Sequence, residues 1–248
     1  MNTHPLVHNM ALSAALRPSL RWDGVTPIEA HREACTDKLR ELLGLNHFAL
    51  CEPVFEITAE DELHGHRHIH FTLQTEEGYF THCDLLLPKN QTGKLPLCAT
   101  LQGHSKGAHI SLGMPKYPGD EATIAGGDRD FAVQIVREGY CALAIEQRNF
   151  GVCGGRMDEK NPGPDCHVSS MSAIINGRTT IGERAHDISC VIDAMLEHFG
   201  DIFDHEKIVL MGNSGGGTAT YYTACLDERI ALAMPSCAVC TYKHSIAA

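Results

Sequence analysis

The chain has 248 residues, 43% of them hydrophobic and 21% charged, enough apolar material for one large domain or two small ones. A formal charge of −11 runs against a nucleic-acid partner, which would want a basic face. No apolar run approaches the ~18 residues of a membrane span, and the opening MNTHPLVHNM lacks the basic region of a signal peptide.

Residues 1–27 are polar and read as irregular. From 28 to 43, IEAHREACTDKLRELL places apolar residues on one helical face, with Gly44 as the C-cap. Segments 54–58, 66–74 and 79–87 read as antiparallel strands, the last two joined by a turn at Glu76-Glu77-Gly78. The continuous apolar run 95–101 is a strand buried on both faces. A glycine-rich, irregular stretch follows over 104–127, then a helix at 131–138 closed by Gly139 and a second buried strand at 140–145. Residues 150–182 read as a long functional loop covering a site, with Asp165-Cys166-His167 inside it. A helix at 183–199, a strand at 208–211, a helix at 214–225 and a strand at 230–234 complete the chain. Antiparallel strands followed by strand–helix alternation predict an α/β fold. Its sheet is doubly wound and mostly parallel, with helices on both faces and an N-terminal antiparallel edge. We expect one domain over 1–248, with a helical extension over 1–50 and the sheet core over 51–248.

Several polar groups invite a function and receive a plainer reading. Eleven cysteines, scattered and mostly in apolar contexts such as Leu97-Cys98-Ala99, read as free thiols in a reducing, cytoplasmic setting. Cys237-x-x-Cys240 lacks the second ligand pair of a zinc site, so no metal is expected there. His64, His66, His68 and His70 alternate along a strand and so share a face. With no nearby cysteine or carboxylate completing an evident site, they read as an exposed, imidazole-rich surface.

One stretch carries chemistry. In KIVLMGNSGGGTAT (207–220) an apolar strand runs into Gly212-Asn213-Ser214-Gly215-Gly216 and then into small helix formers. This is G-x-S-x-G in strand–turn–helix context, where Gly212 and Gly216 let backbone pass close to a strained serine. The turn lifts Ser214 above the carboxyl end of the sheet, the side where α/β proteins bind ligands. An anion cradle is the competing reading, but no lysine follows the glycines as a P-loop requires. Tight helix–sheet packing is the plainest one. Leu101-Gln102-Gly103-His104 follows the first long buried strand, the position that supplies a second oxyanion donor. The two donors are therefore assigned to the N–H groups of Gly215 and His104.

LQGHSKG, AIEQRNFG, the helix beginning GERAHD, and VLMGNSGGG, in this order over roughly residues 50–240, together resemble the α/β-hydrolase superfamily. The resemblance is to its dienelactone hydrolase and acetyl xylan esterase-like branch. It implies hydrolysis of small-molecule carboxylic esters or related acyl compounds through an acyl-enzyme, by a serine, an acid and a histidine and without cofactor. The family often has His-Gly where this chain has Gln102-Gly103, and Asp-x-Arg-Gly where it has Glu146-Gln147-Arg148-Asn149. Glu146 and Arg148 are therefore expected to form a buried structural charge pair. The family's acid and histidine follow the serine, whereas here only Asp227, Glu228 and His244 do. His244 is the candidate base within the chain. The leading expectation places acid and base beyond residue 248, the last strands missing and the open sheet edge prone to self-association. A binding or interaction module that retains the fold without catalysis, or an inactive fragment, is the second expectation.

Overall fold

The computed structural model describes residues 3–104, 107–154, 166–242 and 245. Seven strands form one sheet in the order β1-β2-β3-β5-β4-β6-β7. They are β1 (Phe55–Leu63), β2 (His66–Glu76), β3 (Tyr79–Leu87), β4 (Leu95–Leu101), β5 (Cys141–Ile145), β6 (Phe203–Asn213) and β7 (Ile230–Ser236). β1, β2 and β3 pair antiparallel, as do β3 and β5, while β5, β4, β6 and β7 run parallel. The expected mixed sheet with an antiparallel N-terminal edge is what forms.

Among the described residues, seven helices accompany it: α1 (Pro5–Ala15), α2 (Ile28–Leu43), α3 (Asp120–Ala125), α4 (Phe131–Arg137), α5 (Cys166–Ile175), α6 (Thr180–Phe199) and α7 (Gly215–Leu226). Gly44 closes α2 in the left-handed conformation (φ 73°), its N–H donating to the carbonyls of Arg40 and Glu41. α1 was not anticipated. Proline at its start and Leu, Met and Ala within it favour a helix, but it buries no residue and therefore shows no amphipathic period. α3 and a short 3₁₀ turn at Ala108–Ile110 likewise occupy the stretch expected to be irregular. α5 replaces part of the expected 150–182 loop.

Period-2 alternation sorts strand side chains onto two covered faces. On one face Ile69, Leu73, Leu85, Leu97, Leu143 and Leu210 pack against Ile188, Val191, Ile192 and Met195 of α6. On the other, Leu86, Ala142 and Ala144 meet Ala132 and Val136 of α4. Each such aliphatic side chain contributes about 1.5–3 kcal/mol when fully buried. β7 is thinly covered, and Leu232 and Met234 remain exposed.

The imidazole-rich surface reading needs correction. His68 is only 1% exposed, and Asp61 of β1 and Asp84 of β3 flank the histidines from the neighbouring strands.

Candidate active site

β6 ends at Asn213 and α7 begins at Gly215, so the chain reverses at Ser214, which adopts φ 54° and ψ −115°. A side chain at positive φ costs of order 1–3 kcal/mol and persists only where its surroundings enforce it. Here they do. The Ser214 N–H donates to the Ser236 carbonyl of β7 at 2.8 Å, and its own carbonyl accepts from the Thr218 N–H at 2.9 Å. A Cβ on Gly212 would collide with the Gly216 carbonyl, and one on Gly216 with the Leu101 and Gln102 carbonyls, so strand and helix cross here only as glycines. The Ser214 side chain is half-buried, and no described side chain hydrogen-bonds its Oγ.

The loop after β4 lies against this turn. A Cβ on Gly103 would stand 3.0 Å from Ser214 Cβ, and one on Gly215 3.0 Å from His104 Nδ1, so the fold brings together the residues singled out from sequence. The Gly215 N–H lies in the first turn of α7, outside the helix's own ladder. The His104 N–H finds no acceptor among the described residues. The His104 ring meets Phe150 edge-on at 5.2 Å, and its Nε2 lies 3.3 Å from Cys166 Sγ. Desolvation by this packing, then the Arg184 charge, lower its pKa, so the ring is neutral at pH 7. Cys166 also receives Arg184 Nη2 at 3.6 Å. Cys166, in the segment expected to cover the site or line its pocket, thus contacts His104 directly.

A cleft of about 370 Å³ opens beside the turn, lined by Arg129, Phe131, Gly212, Asn213, Met234 and Ser236. A larger apolar groove, about 780 Å³ between α4 and β7, is lined by no residue of the Ser214 turn, so size does not identify the site.

Glu146 and Arg148 are both buried, as expected, but they do not pair with each other. Glu146 accepts the Ala108 N–H at 3.1 Å, and burial pushes its carboxyl up to about 7 despite that bond. Arg148 holds Asp187 of α6 through Nε (2.7 Å) and Nη2 (2.9 Å) and reaches Glu76 at 3.2 Å. Its guanidinium lies 3.9 Å from the centroid of the Tyr79 ring. His186 meets the Thr75 carbonyl at 2.8 Å and Asp187 accepts from Thr75 Oγ1 at 2.6 Å, so both side chains of α6 engage β2. Asp227 sits at the far end of α7, roughly 18 Å of helix from Ser214. It bonds Ser189 at 2.9 Å and Arg229, as a brace between helices. His109 pairs with Asp120 at 2.9 Å in the segment after β4. The candidate base His244, and Asp165, lie outside the described residues.

No protein-family model matches the chain, and no curated protein matches it. Solved structures do. It superposes on a Bacteroides fragilis protein assigned as an acetyl xylan esterase with a TM-score of 0.79 at 17% identity, over 93% of this chain and 59% of that one. A methylesterase gives 0.63 at 20% identity, over 93% and 45%. An acetyl xylan esterase from Paenibacillus sp. R4 gives 0.58 at 19%, over 87% and 62%. The fold is that of the α/β-hydrolases, and the chain spans 45–62% of the length of these three proteins.

Proposed function

We propose that the protein is a serine-dependent hydrolase of carboxylic esters, with Ser214 as nucleophile. The observation that carries this is a strained, half-buried serine at a glycine-walled strand–helix turn, beside two backbone N–H groups that find no acceptor among the described residues. Ser214 Oγ attacks the acyl carbon as its proton passes to a base, and the former carbonyl oxygen becomes an oxyanion held by the Gly215 and His104 amides. Collapse of this intermediate expels the alcohol, leaving an acyl-enzyme that water cleaves by the same route. Each oxyanion donor contributes on the order of 2.7–4 kcal/mol. The general base comes from outside the described residues, in keeping with the partial span of the esterase neighbours. Ester substituents of carbohydrates are the substrate class favoured by neighbours named for xylan esters. Eleven free thiols favour a reducing, cytoplasmic compartment. Among the described residues, no helix is long and apolar enough to cross a membrane.

A second reading, a ligand-binding module on the same fold, is favoured by one observation: no described base touches Ser214 Oγ. Treatment of the protein with a fluorophosphonate, followed by peptide mass spectrometry, separates the two. The hydrolase reading expects stoichiometric phosphonylation of Ser214, and the module reading expects none.

A further inference from the structure

We propose that Asp61, His68 and His70 bind one divalent transition-metal ion of the zinc type, which fastens edge strand β1 to the sheet. His68 and His70, two residues apart on β2, project from one face. The strand register places Asp61 directly opposite His68 and Asp84 directly opposite His70, so all four side chains share that face.

The hydrogen-bonding directions make this more than a polar cluster. A single oxygen of Asp84, Oδ1, lies 3.0 Å from His68 Nε2 and 2.5 Å from His70 Nδ1. If both nitrogens donate to it, the remaining nitrogens, His68 Nδ1 and His70 Nε2, carry lone pairs. Those lone pairs face the Asp61 carboxylate, at 3.1 Å from Oδ1 and 3.6 Å from Oδ2. Lone pairs facing a carboxylate repel unless a cation stands between them. Protons serve only if both imidazoles are charged, with their rings 3.9 Å apart and His68 nearly sealed from solvent. One metal ion serves without that repulsion. A donor atom from each of Asp61, His68 and His70 lies within 4.8 Å of the other two. The two nitrogen–oxygen separations, each to a different oxygen of Asp61, are near the roughly 3.3 Å edge of a tetrahedron with 2.0–2.1 Å bonds. Asp84 then plays the part of the outer carboxylate that orients metal-bound histidines.

Imidazole and carboxylate donors suit zinc and its neighbours better than calcium or magnesium. Asp61 is the exposed member, so water completes the coordination. β1 is exposed along nearly all its length, and an ion tying it to β2 stabilises the strand with least packing of its own.

The test is equilibrium dialysis of the full chain against Co²⁺, read by metal content and electronic absorption, with Zn²⁺ melting curves alongside. We expect one Co²⁺ per chain, d–d bands without a thiolate charge-transfer band, and a melting temperature raised by roughly 5 °C at a hundredfold Zn²⁺ excess over Kd. D61N and H70Q should each weaken binding at least about tenfold, as loss of a ligand or its orienting partner does. D61N replaces an exposed residue, so it decides the matter alone if H70Q does not fold. Absence of stoichiometric metal, a thiolate band, or unchanged binding in folded D61N overturns the proposal.

Discussion

The Ser214 turn and the Arg148 cluster are both built at the ends of sheet strands, and they differ in how their polar groups are satisfied. The Arg148 guanidinium finds acceptors on two carboxylates: Asp187 takes two bonds, Glu76 takes more, and Thr75 Oγ1 adds a 2.6 Å bond to Asp187. Around Ser214 the backbone is fixed in a strained shape, while the hydroxyl and the His104 amide have no partner among the described residues. Buried polar groups are normally saturated. The Arg148 guanidinium is buried and bonded, whereas Ser214 is half-buried and His104 exposed, so their donors stand open to solvent or to a ligand.

The largest expected effect breaks one side of this contrast without touching the other. S214A should lower turnover of a p-nitrophenyl ester by at least about 10⁴-fold. Its melting temperature should stay within the small range of neutral substitutions, because alanine accepts the same backbone and no side-chain hydrogen bond is lost. D187A should do the reverse. It leaves Arg148 buried without its main partner, which costs about 3–5 kcal/mol. The transition should fall by roughly 10 °C in a calorimetric scan, with activity per folded molecule retained at lower temperature.

A smaller effect sharpens the comparison through pH. The Glu146 carboxyl is raised from 4.5 to about 7, chiefly by desolvation, so the folded state holds its proton more tightly than the unfolded chain. The sign follows: this group's contribution is most favourable below about pH 4.5, declines as pH rises to about 7, and is level above. The loss is on the order of 3 kcal/mol. E146Q should flatten that part of the stability–pH curve measured by denaturant titration between pH 5 and 8. An undiminished slope would assign it to other groups.

The sheet was legible because each strand announces itself locally: β4 is apolar throughout, and β2 and β3 flank a glycine turn. α6 shows through its apolar period, and α7 through the small helix formers that follow the glycine turn. What stayed hidden depends on contacts between distant segments. α1 buries nothing, so no apolar stripe marks it. Arg148 finds Asp187 and Glu76, 39 and 72 residues away, which the local motif around Glu146 and Arg148 did not foretell. The carboxylates beside His68 and His70 arrive through strand register from β1 and β3, so the alternation within β2 alone suggested a bare face. At the candidate site, the serine and its glycines could be read from a dozen residues. The approach of Cys166 to His104, 62 positions apart, could not.

The central claim concerns where an oxyanion would sit, and the most direct measurement is a crystal structure of the protein after reaction with a phosphonate ester. The account predicts a covalent bond from phosphorus to Ser214 Oγ. It also predicts a phosphonyl oxygen about 2.7–3.1 Å from both the Gly215 and His104 backbone nitrogens. A phosphonate attached elsewhere, or one on Ser214 whose oxygen turns away from those two amides, would contradict it.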